Sequence, residues 1–168
     1  AVNTYDLAVG NVPFGKYGVS DPKFNAMNLT IHNYFFVKAL DEVRPGGLVC
    51  FLTSRYTMDA KDSKVRKYLA ERAELVSAVR FPQDAFKETA NAEVITDLLV
   101  FQKKDRPEVL TDYPDWVSLG LTDDNIPVNE YFLDHPDHVF GTFATKSGPF
   151  GPDLAVLPQA DRTLEEQF

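Results

Sequence analysis

The fold can be worked out from one stretch, Tyr5-Asp6-Leu7-Ala8-Val9-Gly10-Asn11-Val12-Pro13-Phe14-Gly15. It opens as a short apolar run, typical of a buried strand, and its Gly, Asn and Pro residues then end that strand abruptly. Ligands of open α/β sheets bind at the carboxyl ends of strands, so Asn11 stands where a ligand would bind. Its amide both donates and accepts hydrogen bonds. Pro13 fixes the neighbouring backbone and Phe14 offers a flat apolar face, so the stretch predicts a site for a planar ligand with an amino group.

The composition is that of a globular domain, with 168 residues of which 44% are hydrophobic and 25% charged. No apolar run approaches the roughly 20 residues that a membrane helix needs, so no membrane partner is expected. The one cysteine, Cys50, excludes an internal disulfide and fits a reducing compartment, which predicts a cytoplasmic location. The chain opens with Ala and enters a strand almost at once, so we interpret it as a piece of a longer polypeptide.

The net charge of −8 is unevenly distributed along the chain. Up to residue 107 there are 15 basic and 13 acidic residues, whereas the remainder has 2 basic and 12 acidic residues. The first part is balanced enough to approach a phosphate backbone, although it has no basic patch. The acidity therefore belongs to the last third of the chain.

Alternating helical and strand patterns predict an α/β fold. We expect helices over 29–44 and 63–71, and strands over 48–53, 74–81 and 94–103. This order predicts a mainly parallel sheet with right-handed crossovers. The loop between the last two strands has no helical pattern, so these strands should pair as antiparallel neighbours and give the sheet an antiparallel edge strand.

The character of the chain changes near residue 105. We predict a domain over 1–106 and an acidic, Pro-rich C-terminal extension over 107–168, with a helix over 128–133 and an extended segment over 145–152. His135 and His138 are too few ligands for a metal, so no metal site is expected.

Two other polar features have an ordinary structural interpretation. His32 lies in the first turn of a predicted helix, where a polar residue needs no functional role. The charged residues Lys61, Lys64, Arg66 and Lys67 are typical of a solvated helix face, with a phosphate-contacting face as the alternative.

Asn11-Val12-Pro13-Phe14 resembles motif IV of the amino-methyltransferases, Asn/Asp-Pro-Pro-Tyr/Phe, with Val12 in place of the first Pro. The Arg-Pro-Gly-Gly turn at 44–47 and the aromatic-bearing loop over 82–93 are also similar to that family. The resemblance is nearest to adenine-specific DNA methylases, especially those fused to helicase-containing bacterial or phage proteins. The other stretches that carry it are Ile31-His32-Asn33-Tyr34-Phe35-Phe36, Val65-Arg66-Lys67-Tyr68-Leu69 and Asn129-Glu130-Tyr131-Phe132-Leu133.

This resemblance implies the C-terminal half of a Rossmann-like methyltransferase fold that uses S-adenosylmethionine. No strand followed by Gly-x-Gly is present, so the main cofactor-binding half is expected upstream in the same polypeptide, with Asn11 as the one cofactor contact in this chain. The implied substrate is a flipped-out adenine of double-stranded DNA. Asn11 Oδ1 and the Val12 carbonyl would hold its amine hydrogens beside Pro13 and Phe14. Phe81 and Phe86 are the expected base-binding residues.

Other functions share the same motif. A protein-glutamine or RNA-base amino-methyltransferase would carry motif IV on the same strand. Val12 also allows a non-catalytic methylase-like module for DNA binding or assembly. The role in restriction–modification or in antirestriction stays open at this point.

Overall fold

The computed structural model describes residues 2–13, 15, 17–83, 85, 94–159 and 162–168. The strands are β1 (Tyr5–Asn11), β2 (Val43–Ser54), β3 (Ala73–Phe81), β4 (Thr96–Lys103), β5 (Leu119–Leu121), β6 (Pro127–Asn129), β7 (Thr142–Gly148) and β8 (Gly151–Leu157). The helices are α1 (Ile31–Glu42), α2 (Tyr56–Asp59), α3 (Lys64–Arg72), α4 (Glu130–Asp134) and α5 (Leu164–Gln167). Each described helix is too short or too polar to cross a membrane.

The main sheet has the strand order β1-β2-β4-β3. β1 and β2 are parallel, and β4 is antiparallel to both of its neighbours, so β1, β2 and β3 run in one direction and β4 runs against them. The predicted α/β fold class and the antiparallel pairing of the last two strands are confirmed. The antiparallel strand β4 is not the edge strand but lies between β2 and β3. After β2, α3 carries the chain to the edge position that β3 occupies, and β4 then fills the position between them.

β2 begins five residues earlier than the sequence predicts. The predicted turn at 44–47 lies inside the strand as an irregularity, because Tyr5 pairs with Val43 while Leu7 pairs with Leu48. Gly47 makes this close approach possible, since a Cβ there would lie 3.0 Å from the Asp6 carbonyl oxygen and would collide with the adjacent backbone.

The prediction that β1 is a buried strand is wrong, because its side chains are largely exposed among the residues that the structure describes. Tyr5, Leu7 and Val9 are 51%, 53% and 69% exposed, because β1 is the first strand of the sheet and has β2 as its one described neighbour. Val12, directly after the strand, is by contrast 3% exposed and belongs to the core. The apolar side chains of β1 thus form an uncovered surface at one edge of the sheet.

The residues after 106 share a core with the sheet. Phe36 of α1 packs edge-on against Phe101 of β4 with ring centroids 5.7 Å apart, and Trp116 contacts the same Phe101 ring at 5.5 Å. Phe132 of α4 is fully buried in the same cluster. The boundary after residue 106 stays a prediction about domain organisation, since in packing terms the extension completes the hydrophobic core of the sheet.

Candidate functional site

Asn11 and the end of β2 form one polar edge of the sheet. Asn11 pairs with Leu52, so its side chain stands beside the point where β2 gives way to Ser54 and Arg55. The Asn11 side chain is exposed and has no hydrogen-bond partner within the described residues. Its amide oxygen is therefore available to accept a hydrogen bond from a ligand.

Val12 is anchored to β2 through its backbone. Its N–H donates to the Leu52 carbonyl at 3.0 Å, which extends the parallel ladder one residue beyond Asn11. The Pro that motif IV has at this position would lack an N–H, whereas Val12 uses its N–H to bind β2. No described N–H donates to the Val12 carbonyl, although Val12 as a whole is only 3% exposed. The next residue, Pro13, is exposed.

The three predicted aromatic contacts have different outcomes. Phe14 and Phe86 lie outside the described residues. Phe81 ends β3 and is 2% exposed, with its ring centroid 5.5 Å from Phe140 and 5.7 Å from Phe168. A base that stacks on Phe81 would therefore have to displace one of these two rings, and the base-binding role of Phe81 stays a prediction.

A further aromatic, Tyr56, lies at the carboxyl end of β2. It is 50% exposed, and the Arg55 guanidinium lies 4.9 Å from its ring centre. Below it, the hydroxyls of Thr53 and Thr57 form a buried hydrogen bond of 3.0 Å. Tyr56 is thus a candidate stacking surface one strand away from Asn11. The sequence signal for it was the polar and aromatic run that follows this strand.

A buried ion cluster supports this edge of the sheet. Arg80 is fully buried and donates to both oxygens of Asp97, at 2.7 and 2.8 Å, and to Asp59 at 2.8 Å. Burial alone would lower the pKa of Arg80, but the two carboxylates outweigh it and keep the guanidinium charged. Burial raises the pKa of Asp97 to about 6, an effect that Arg80 opposes. Arg55 also donates to Asp59, so the cluster reaches the surface beside Tyr56.

The C-terminal extension closes the other side of this cluster. The Asn129 N–H donates to Asp59 at 2.8 Å, and its side-chain amide donates to the carbonyls of Met58 and Trp116. The Asn129 oxygen in turn accepts from the Tyr131 N–H and begins α4. A single buried Asn thus ties the extension to the end of β2. Sequence reasoning missed this role, because Asn129 followed by Glu130 resembles an ordinary helix cap.

The two histidines of the extension protect the outer edge of β3. His138 Nδ1 lies 2.9 Å from the Ala78 carbonyl, and the Ala78 N–H donates to the Tyr131 hydroxyl at 3.4 Å. His135 stacks on the Tyr131 ring at 4.2 Å. The edge of the sheet at β3 is therefore covered by polar groups of the extension, unlike the apolar edge at β1.

His32 and the basic run of α3 have structural positions. His32 is 8% exposed, and burial lowers its pKa, an effect that the nearby Gly15 backbone opposes. Gly15 directly follows motif IV, so His32 interacts with the chain next to the candidate site. In the basic run, Arg66 is buried and donates to the Val117 carbonyl at 2.9 Å, whereas Lys61, Lys64 and Lys67 are exposed. The prediction of a solvated face is thus wrong for Arg66 alone.

No protein-family profile matches the chain. A sequence relative is the "Defense against restriction protein B" of Escherichia phage P1, 28% identical over 106 residues that cover 60% of this chain and 5% of the relative. The chain thus spans about one twentieth of the length of that curated relative.

Two solved structures have a similar fold. One is the M protein of the type I restriction enzyme EcoKI, with a TM-score of 0.48 and 17% identity, over 76% of this chain and 23% of that protein. The other is a Listeria monocytogenes protein assigned to the class I S-adenosylmethionine-dependent methyltransferases, with a TM-score of 0.48 and 21% identity, over 67% of this chain and 35% of that one.

Proposed function

We propose that this chain is the substrate-binding half of an adenine-specific DNA methyltransferase, which modifies the exocyclic N6 amine of a flipped-out base. The observation that supports this most directly is the pair of acceptors at the end of β1 that receive no described hydrogen bond. Asn11 Oδ1 is exposed and has no described partner, and the adjacent Val12 carbonyl, in a residue that is 3% exposed, likewise accepts no described hydrogen bond, while the Val12 N–H is bound to Leu52.

These two acceptors address the chemical difficulty of the reaction. The adenine amine is a poor nucleophile because its lone pair is delocalised into the ring. Two acceptors that hold its hydrogens favour a pyramidal nitrogen, whose lone pair is then directed out of the ring plane. Because the Val12 hydrogen bond to Leu52 fixes the backbone that joins the two acceptors, they are preorganised before the base arrives. Pro13 and Phe14, with Tyr56 and the predicted Phe86 and Phe81, would supply apolar faces for the base.

We further propose that the cofactor is S-adenosylmethionine and that a preceding half of the same polypeptide holds most of it. When bound, S-adenosylmethionine supplies an electrophilic methyl group. The fit within this chain is limited to Asn11 at the end of β1, since no strand of the described residues is followed by a Gly-x-Gly turn. The open side of β1 suits such a half, because Leu7, Val9 and Phe35 line an uncovered groove of about 430 Å³ between β1 and α1. Covering these side chains would remove the exposed apolar edge.

The phage relative supports a role connected with restriction. Its name concerns defence against restriction, and the small share of it that this chain matches fits a module of a large fusion protein. We propose that this module belongs to a methylase of the helicase-fused kind and acts on double-stranded DNA in the cytoplasm.

The proposal is tested by methyl transfer from labelled S-adenosylmethionine to DNA, with the modified base identified by mass spectrometry. The longer polypeptide should produce N6-methyladenine, and the 168-residue chain alone should neither bind the cofactor tightly nor transfer a methyl group. A labelled methyl group on a glutamine side chain or in RNA would instead support the protein-glutamine or RNA-base alternative. Absence of transfer by the longer polypeptide would support a non-catalytic module.

A further inference from the structure

We infer that Phe150 is a wedge that enters the DNA duplex beside the target adenine and fills the space that the flipped base leaves. This inference rests on the proposed function, because it assumes that the substrate is a base in a duplex. Phe150 is a different residue from those that motif IV predicts, and it lies on the extension.

The path of the β7–β8 hairpin brings Phe150 toward the site. At its base, the Phe140 N–H donates to the Arg80 carbonyl and the Val156 N–H donates to Gln83, both at 2.8 Å, at the end of β3. Further along, Asp153 accepts from Arg55 at 3.3 Å, at the end of β2. Because β1 is the next strand after β2 in the sheet, the hairpin crosses the carboxyl edge in the direction of Asn11.

The tip of the hairpin protrudes from a firmly held base. Leu154, Ala155 and Val156 of β8 are each at most 3% exposed, whereas Phe150 is fully exposed. Gly151 has φ of 110°, which permits the sharp turn after Phe150, and Pro149 restricts the backbone before it. No packing within the described residues explains a large aromatic side chain here.

The turn at the tip, residues 147–152, carries no charged side chain. The carboxylates beside the hairpin, Asp153 and Asp124, accept hydrogen bonds from Arg55 and Thr145, and Lys146 lies on β7 across from Asp153. The tip itself therefore adds no negative charge that would repel phosphates. Apolar side chains such as Phe are used to separate base steps, and an extruded base leaves a gap in the stack that an inserted aromatic ring can enter.

The experiment compares Phe150→Ala and Phe150→Trp in the longer polypeptide, with Val109→Ala as a control. Val109 is 99% exposed and follows β4 at the opposite end of the sheet. Each protein is given two duplexes, one with a paired target adenine and one with the target opposite an abasic site. 2-Aminopurine at the target reports base flipping independently of methyl transfer.

A wedge predicts that Phe150→Ala reduces flipping and methylation of the paired target roughly 10-fold, which is about 1.4 kcal/mol of the few kcal/mol that extrusion costs. The target opposite the abasic site should be modified at a near-normal rate, and Phe150→Trp and Val109→Ala should behave as the parent. An equal loss on both duplexes would overturn the wedge in favour of a contact with the base or with a protein partner, and no loss on either would exclude a DNA contact. If the parent flips the base without methylating it, the proposed function fails while the wedge stands.

Discussion

Replacing Arg80 by Met should lower the free energy of unfolding more than the loss of any surface ion pair. Arg80 makes three hydrogen bonds to carboxylates, of 2.7 to 2.8 Å, and its guanidinium lies 4.3 Å from the Phe132 ring centre. Met keeps much of the apolar volume but leaves Asp97 without its hydrogen-bonded cation. Asp59 is less affected, because Arg55 and the Asn129 N–H still donate to it.

The expected magnitude follows from burial. Removing one partner of a buried ion pair typically costs about 3–5 kcal/mol, a large share of the roughly 5–15 kcal/mol that stabilises a domain. For a chain of this length, that corresponds to a fall in Tm of roughly 6–20 °C. Arg44→Met is the matched control, since the Arg44–Asp6 pair is exposed and its loss should cost less than about 1 kcal/mol.

The pH dependence provides a second signature. Burial raises the pKa of Asp97 to about 6 even beside Arg80, and without Arg80 the pKa should rise further. A raised carboxyl pKa means that stability is retained at low pH and lost as the pH rises through that pKa. Unfolding followed by circular dichroism should therefore show a larger deficit for Arg80→Met at pH 8 than at pH 5. Deficits as small as that of Arg44→Met, at both pH values, would refute the reasoning.

Three further changes test separate parts of the structure. Val12→Pro should lower the free energy of unfolding by about 0.5–1.5 kcal/mol in urea titrations, because the Leu52 carbonyl loses its donor; unchanged stability would contradict the anchoring role. Burial lowers the pKa of His32, so the free energy of unfolding should fall as the pH drops below about 6.5, and His32→Gln should reduce this pH dependence. Parallel pH curves for the two proteins would contradict the assignment of this dependence to His32. Removing residues 107–168 should abolish cooperative thermal unfolding, because Trp116 packs in the shared core; an unchanged transition would instead establish the predicted domain boundary.

The parts of the fold that the sequence predicts are those that depend on local patterns. The strand over 48–53 and the helix over 29–44 are predictable because apolar residues repeat at strand or helix spacing. The exposure of β1 was missed because an apolar edge strand and a buried strand have the same composition. The role of the extension was missed for a different reason. Its contacts depend on single residues, such as Asn129, that are far from their partners along the chain.

Within the site, the position of Asn11 can be predicted from the end of an apolar run. The residues that surround Asn11 cannot be predicted in this way. The sequence gives no sign that the Val12 N–H binds Leu52, since register between strands is a tertiary property. Arg80 and Asp97 did carry a signal, because a charged residue within an otherwise apolar strand must find a buried partner. The tip of the hairpin at Phe150 was recognisable as Gly- and Pro-rich, but its direction across the sheet was not.

The most direct test of the central claim is the single-turnover rate of adenine methylation by Asn11→Ala and Asn11→Asp in the longer polypeptide. Asn11→Ala removes one of the two acceptors and should slow transfer by about 10²–10³-fold, while cofactor binding and the unfolding transition stay close to those of the parent. Asn11→Asp keeps an acceptor oxygen at the same place, as the Asn/Asp choice in motif IV implies, and should retain much of the activity. A rate for Asn11→Ala within about threefold of the parent rate would contradict the claim that the end of β1 holds the reacting amine.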